Sequence, residues 1–202
     1  MKKTPDHIAI LILAAGASSR MGRPKQLLPW ENTSLLEHAI RTAKASKGTE
    51  VMTVLGANAR MIQSHLEEGE RCVENPLWQS GLGSSIACGV RDLLQSGNTI
   101  SGVLIMLADQ PLINFKYVNS LIEASSNNQN RIIATAYKNR AGVPALFPRS
   151  YFDELLKLDK DFGAKQLLER EEIITISAGD CVVDIDTAED YEQLKQRNEP
   201  ET

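Results

Sequence analysis

Ile8–Leu13 is an unbroken apolar run rich in β-branched residues and ended by Ala14-Ala15-Gly16. That is the pattern of a strand buried on both faces of a parallel sheet. Ser34–Ala45 follows with apolar residues at Leu35, Leu36, Ala39, Ile40 and Ala43, the spacing of a helix with one buried face. The alternation then repeats. Val51–Leu55 reads as a strand and Ala57–Leu66 as a helix; Arg71–Val73 is a short strand and Ser84–Gln95 a helix. Gly102–Leu107 is a second wholly apolar strand, followed by a helix over Phe115–Ser125. Further on the pattern predicts strands at Ile132–Ala136 and Val143–Phe147, helices at Tyr151–Leu158 and Gly163–Arg170, strands at Ile173–Ile176 and Val182–Ile185, and a last helix at Ala188–Arg197.

Strands alternating with helices predict an α/β fold: a single Rossmann-like, doubly wound, mostly parallel sheet with helices on both faces. The closely spaced later strands are expected to add an antiparallel pair. Residues 1–202 read as one domain, with residues 1–6 and 198–202 expected to be flexible. Ligands of such sheets bind outside the carboxyl ends of the strands, which directs attention to the loops after Leu13 and Leu107.

Composition narrows the partners. A net charge of −4 without a basic run gives no footprint for nucleic acid or an anionic membrane. No stretch reaches the ~20 apolar residues that span a bilayer. Lys2, Lys3 and the run Ile8–Ala15 superficially resemble a secretory signal, but Asp6 and His7 interrupt it, so the chain is expected to be cytoplasmic. Cys72, Cys88 and Cys181 are far apart and form no C-x-x-C pair, as expected of small hydrophobic residues in a reducing compartment.

The first loop runs Ala14-Ala15-Gly16-Ala17-Ser18-Ser19-Arg20-Met21-Gly22-Arg23-Pro24-Lys25. Its small residues admit a ligand to the backbone, its successive N–H groups can form an anion nest, and Arg20 and Lys25 add two cations. It is neither a Walker A loop nor a G-x-G-x-x-G fingerprint. On residues alone, a phosphate site and a glycine turn with two solvated cations both fit. Asp109 stands just past an apolar strand, where a hard carboxylate suits Mg²⁺ or caps the next turn. Asp184 and Asp186 alternate with apolar residues and would share one face of a strand, while Asp186 or Thr187 also suits an N-cap of the last helix. Asn75–Ser85 is a loop feeding a helix N-terminus, with Gly81 and Ser85 near its end.

The first loop resembles the signature loop of the nucleotidyltransferases that include sugar-1-phosphate uridylyltransferases. Five further segments are similar to the molybdenum cofactor cytidylyltransferase group, which matures molybdenum hydroxylases such as xanthine dehydrogenase. They are Pro24-Lys25-Gln26-Leu27-Leu28-Pro29-Trp30, Asn75-Pro76 with Gly81-Leu82-Gly83-Ser84-Ser85, Leu107-Ala108-Asp109-Gln110-Pro111, Gly142-Val143-Pro144-Ala145-Leu146-Phe147 and Asp184-Ile185-Asp186-Thr187. Asp161-Phe162-Gly163-Ala164-Lys165 also fits, with Lys165 where that group often shows Arg. The resemblance spans about Ile8 to Leu194.

By this resemblance the fold is that of nucleotide-diphospho-sugar transferases. Ala14, Ala15, Gly16, Ala17 and Ser18 would meet the nucleotide, with Arg20 and Lys25 on its phosphates. Asp109 and Asp186 would hold Mg²⁺, Gly81 and Ser85 would lie near base or ribose, and molybdopterin would enter over Gly142–Phe147. The implied reaction is transfer of CMP from CTP to the terminal phosphate of molybdopterin, with Arg20, Lys25 and Asp109 catalytic. Cytosine over guanine rests on Pro24-Lys25-Gln26-Leu27-Leu28-Pro29, since the related guanylyltransferases usually carry a glycine-rich continuation there. Docking to the recipient hydroxylase is a further expectation. Transfer from GTP, a sugar or polyol phosphate acceptor, and a non-catalytic cofactor carrier are the alternatives.

Overall fold

In the computed structural model, residues 7–138, 140–158, 164–170 and 172–198 are described. Strand β1 (Ile8–Ala14) is buried along its whole length and sits inside a seven-stranded sheet. It pairs in parallel with β4 (Glu50–Leu55) on one side and β6 (Gly102–Leu107) on the other. Beyond β4 lies β5 (Cys72–Glu74); beyond β6 lie β8 (Arg140–Pro148), β7 (Ile133–Tyr137) and β9 (Ile174–Ser177). Only β8 opposes the others in this sheet: it is antiparallel to β6 and to β7, whereas β7 and β9 are parallel. A separate hairpin joins β2 (Pro29–Trp30) to β3 (Thr33–Ser34).

Side chains alternate across a strand, and β1 shows how each face finds its cover. Ile8, Ile10 and Ile12 pack with Leu36, Ala39 and Ile40 of α1 (Leu35–Lys44) and with Val118, Leu121 and Ile122 of α4 (Phe115–Asn127). Ala9, Leu11 and Leu13 face Ile86, Val90 and Leu93 of α3 (Leu82–Gln95). Each fully buried Leu or Ile contributes about 1.5–3 kcal/mol, so both faces hold the sheet. The start of α1 is fixed locally by a capping box: Glu37 N–H donates to Ser34 Oγ at 3.3 Å, and Ser34 N–H to Glu37 Oε2 at 3.2 Å.

Several segments differ from their predicted form. The helix expected over Ala57–Leu66 shrinks to α2 (Ala59–Gln63), and that over Tyr151–Leu158 to a 3-10 turn and α5 (Phe152–Leu155). Of Gly163–Arg170, the described helix is α6 (Lys165–Leu168); Asp161, Phe162 and Gly163 lie outside the described residues. The largest correction concerns Val182–Ile185, which joins no sheet. A 3-10 turn (Gly179–Cys181) leads into an extended crossing of the sheet's end, where Ile185 N–H donates to Asp109 O at 3.0 Å. Its alternation is real, with Ile185 fully buried between exposed Asp184 and Asp186, but burial against loops produced it rather than a strand ladder. Helix α7 (Ala188–Asn198) closes the described chain, so Asn198 is helical, while residues 1–6 and 199–202 lie outside the described set. No helix among the described residues is long and apolar enough to cross a membrane.

Helix α3 lies close on β1 because Gly89 has no side chain. A Cβ there would come within 2.5 Å of Leu11 Cδ1 and 2.9 Å of Val54 Cγ2. Alanine is favoured over glycine in a helix by about 0.8–1 kcal/mol, yet overpacking a filled core costs about 1–3 kcal/mol. Gly89→Ala should therefore lower stability by roughly 1 kcal/mol, read from the urea midpoint; a midpoint that rises would show that the interface yields.

Candidate active site

Because β1 and β6 are neighbours and parallel, the loops leaving Ala14 and Leu107 meet at the same end of the sheet. Between them and the start of α3 opens a cleft of about 360 Å³. Ala14, Ala15 and Gly16 form one wall, Gly81, Leu82 and Ser85 another, with Trp78 at the side and Lys25 and Asp109 at one end.

The first loop is held from beneath by Gln26, which is 3% exposed. Its Nε2 donates to Ala14 O at 2.8 Å and to Gly16 O at 2.9 Å. In a trans peptide the carbonyl and the following N–H point opposite ways, so the amides of Ala15 and Ala17 are turned away from the carboxamide. Ser18 adopts the left-handed conformation (φ 54°); its Oγ donates to Gln26 Oε1 at 3.4 Å and accepts from Lys25 N–H at 3.1 Å. The loop's shape is thereby set before any ligand arrives.

Lys25 Nζ is the meeting point of three segments. It donates to Asp109 Oδ2, to Ile185 O at 3.0 Å and to Asp186 Oδ1 at 3.5 Å. The Lys25 and Asp109 side chains are largely buried, at 18% and 15% exposure. Burial is the largest influence on Asp109 and pushes its carboxyl above the usual range; the Lys25 ammonium pulls it back, and nearby Asp184 pushes it further up. Arg20 is 69% exposed and stands on the rim, its guanidinium 3.5 Å from Asp186 Oδ2, outside the cleft.

Of the sequence-selected residues, Ala14, Ala15, Gly16, Lys25, Gly81, Ser85 and Asp109 line the cleft, whereas Ala17, Ser18, Arg20 and Asp186 lie beside it, Arg20 and Asp186 paired with each other. Asp186 arrives without the strand expected to carry it. Its segment is secured by a small core of Leu28, Trp30, Leu35, Ile185, Tyr191 and Leu194, and by Tyr191 OH donating to Pro29 O at 2.6 Å. Two further residues shape the site. Gln26 is one. Asn75, 2% exposed, is the other: its Nδ2 donates to Ser84 Oγ at 2.9 Å and Ser85 Oγ at 3.1 Å, and its Oδ1 accepts from Leu77 N–H at 3.0 Å. Asn75 so fixes the loop before α3, where Gly81 takes φ 104°, a conformation that favours glycine. A polar residue inside a motif is the only signal either gave.

Beyond Asp109, Gln110 is buried and its Nε2 donates to Asp184 Oδ1 at 2.7 Å, to Tyr137 OH at 2.9 Å and to Val143 O at 3.4 Å. Tyr137 OH donates in turn to Val143 O at 2.6 Å, and burial raises its pKa to about 12. Gly142–Phe147 is therefore joined to the Asp109 turn through this network. The three cysteines are unpaired, and burial raises the Cys72 thiol to about 11 and Cys88 in the same direction, which keeps both as unreactive thiols.

Two observations bear on a metal. Asp109 Oδ2, Asp186 Oδ1 and the Ile185 carbonyl, all hard oxygens, already surround a cation, the Lys25 ammonium. Asp109 Oδ1 is buried with no hydrogen-bond partner. One or two carboxylates completed by phosphate oxygens and water suit Mg²⁺ or Mn²⁺, and no group of three or more His, Cys, Asp or Glu residues that could hold a metal occurs among the described residues. The donor set fits a divalent cation that arrives with a phosphate ligand.

Comparison with known proteins agrees with this geometry. Residues 10–174 match the model of the MobA-like NTP transferase domain. Nicotine blue oxidoreductase of Paenarthrobacter nicotinovorans is 33% identical over 196 residues, covering 92% of each chain. Purine catabolism protein PucB of Bacillus subtilis is 27% identical over 203 residues, covering 92% of this chain and 95% of its own. The solved structure of Rv0371c from Mycobacterium tuberculosis superposes with a TM-score of 0.82 at 26% identity, covering 96% of this chain and all of that one, and the same protein has been solved in complex with manganese. The chain belongs to the MobA-like NTP transferase family, a family of nucleotidyltransferases.

Proposed function

We propose that the protein, acting as one domain, transfers CMP from CTP to the terminal phosphate of molybdopterin or the molybdenum cofactor and releases pyrophosphate. The product would serve a molybdenum hydroxylase, handed over by docking in the cytoplasm. The observation that carries the reading is that Lys25 and Asp109 line one cleft with Ala14–Gly16 while Asp186 meets the same ammonium from beside it. The acceptor rests on the in-order motifs resembling the cytidylyltransferase group, and the relative PucB is by its name a purine catabolism protein.

The acceptor's terminal phosphate oxygen forms a bond to the α-phosphorus, while the bond from that phosphorus to the bridging oxygen breaks and pyrophosphate leaves with the electron pair. The nucleophile is already anionic, so no side chain need remove a proton. The protein's task is to place two anions in line and stabilise charge. The loop Ala14–Ser18 presents backbone amides to the phosphates, and its shape, imposed by Gln26, needs no reorganisation on binding. Lys25, rooted on the same loop, stabilises the departing pyrophosphate, and Arg20 approaches it from the rim. Gly81 and Ser85 line the end of the cleft suited to ribose or base. Asp109 and Asp186 would hold Mg²⁺, which when bound supplies Lewis acidity and neutralises phosphate charge.

In this structure the Pro24–Pro29 stretch lines the cleft through Lys25 and Gln26 and feeds the small core through Leu28. Pyrophosphate release with Mg²⁺ should accordingly be compared across CTP, GTP, UTP and ATP, with and without molybdopterin. Release with CTP only when molybdopterin is present is the expected result. Release with GTP keeps the chemistry and overturns the cytosine assignment; release only with a sugar or polyol phosphate overturns the acceptor. Finished cofactor binding without turnover would indicate a carrier.

Asp109→Ala should lower kcat by roughly 10²–10³-fold, the usual cost of losing transition-state charge stabilisation, here that of the cation Asp109 would hold, with an unchanged circular dichroism spectrum. Turnover near that of the parent would remove Asp109 from the mechanism. Gln26→Leu deprives the buried Ala14 carbonyl and the more open Gly16 carbonyl of their donor, at about 1–3 kcal/mol for the buried one, and should also weaken CTP binding about tenfold. Lost stability with undiminished CTP affinity would reduce Gln26 to a purely structural residue.

A further inference from the structure

The position between Asp109 and Asp186 that suits a divalent cation is held by one of the protein's own charges. Of its two oxygens, Asp109 uses Oδ2 to share a cation with Asp186. Its Oδ1 is enclosed and without a partner, whereas Oδ2 is the oxygen that Lys25 Nζ contacts. The same ammonium takes Ile185 O and Asp186 Oδ1. A divalent ion taking Asp109 Oδ2 together with Asp186 Oδ1 competes with Nζ for both oxygens, and two cations so close repel strongly at low local dielectric.

We infer that Lys25 is a cation latch: its ammonium closes the two carboxylates, leaves them when a divalent cation binds, and moves to the triphosphate. The inference rests on the proposed reading of Asp109 and Asp186 as metal ligands. The lysine is built for such a move. Its backbone N–H is tied to Ser18 Oγ on the nucleotide loop, while its charge sits at the end of a flexible four-carbon stem. Lys25 also lines the cleft, so the released ammonium has a short path to phosphate oxygens. A metal alone must displace the ammonium with nothing to receive it. Metal and nucleotide together give both cations anionic partners. Binding of each therefore strengthens binding of the other, and by linkage the two effects are equal.

The latch predicts that removing a positive charge tightens nucleotide-free metal binding beyond parent level. Free Mn²⁺ would be followed by electron paramagnetic resonance during titration of the parent protein, Lys25→Met, Asp109→Asn and the double variant, with and without CTP. Lys25→Met should bind Mn²⁺ at least about tenfold more tightly than the parent without CTP, within the usual range for coupled sites, and should gain less from CTP. Asp109→Asn should lose this binding in either background. Equal or weaker Mn²⁺ binding by Lys25→Met, with loss on Asp109→Asn, overturns the latch and leaves the carboxylate assignment standing. Binding that survives Asp109→Asn overturns both. The parent chain offers a second measurement that needs no variant. Acetylation of Lys25 by limiting acetic anhydride, read by mass spectrometry, should rise several-fold with Mg²⁺ alone and fall when CTP is added. Labelling indifferent to Mg²⁺ overturns the latch.

Discussion

The ion pair between Lys25 and Asp109 is the joint on which this site depends. It links residues 84 apart in the chain, one on the loop after β1 and the other on the turn after β6. Parallel pairing of these two strands brings the loops together, but pairing alone would leave a largely buried carboxylate without compensation. A buried charge is expensive unless paired, and breaking such a pair by removing one partner typically costs about 3–5 kcal/mol. The pair therefore constrains how the two loops sit, and the loops in turn define the cleft.

The same lysine draws in the end of the chain. Ile185 O and Asp186 complete its contacts, and Ile185 N–H returns to Asp109 O, so the crossing segment is bonded to both members of the pair. Apolar burial makes that crossing stable. Ile185, Tyr191 and Leu194 pack on Leu28, Trp30 and Leu35, which belong to the stretch just after the loop that leaves β1. A distant carboxylate is thus delivered by a small core lying against the hairpin β2–β3 rather than by the main sheet.

That division explains what could be read from the sequence. Strands β1 and β6 were legible because burial on both faces leaves continuous apolar runs, and Gly102–Leu107 has the predicted bounds. Asp109 and Asp186 stand out as candidates because charged residues follow or alternate with apolar ones, and Lys25 because it is a cation in a loop of small residues. The 182–185 segment misled because alternate burial against loops looks the same as alternate burial in a sheet. The hairpin β2–β3 escaped notice because two-residue strands carry no periodicity. Gln26 and Asn75 lay within recognisable motifs, yet their roles depend on backbone carbonyls and hydroxyls brought by other segments, which no local pattern encodes. Short helices such as α2 and α5 ended early because tertiary contacts, not propensity, set their length.

The order of Asp109 and Gln110 follows from the same electrostatics. These neighbours face opposite halves of the site: Asp109 turns to Lys25 and the cleft, Gln110 to Asp184, Tyr137 and the Val143 carbonyl. Everything Gln110 meets with its Nε2 is an acceptor, so the position calls for a donor, and its 3% exposure calls for a neutral one. A carboxylate there would oppose Asp184 and raise the cost of charging Asp109, while a lysine would offer Asp184 and Asp109 a competing cation. A carboxamide alone joins the two halves without altering the charge balance that Lys25 controls. One acid and one amide at the end of β6 thus keep the charged half of the site responsive to cations while the neighbouring half is fixed by hydrogen bonds from an uncharged donor.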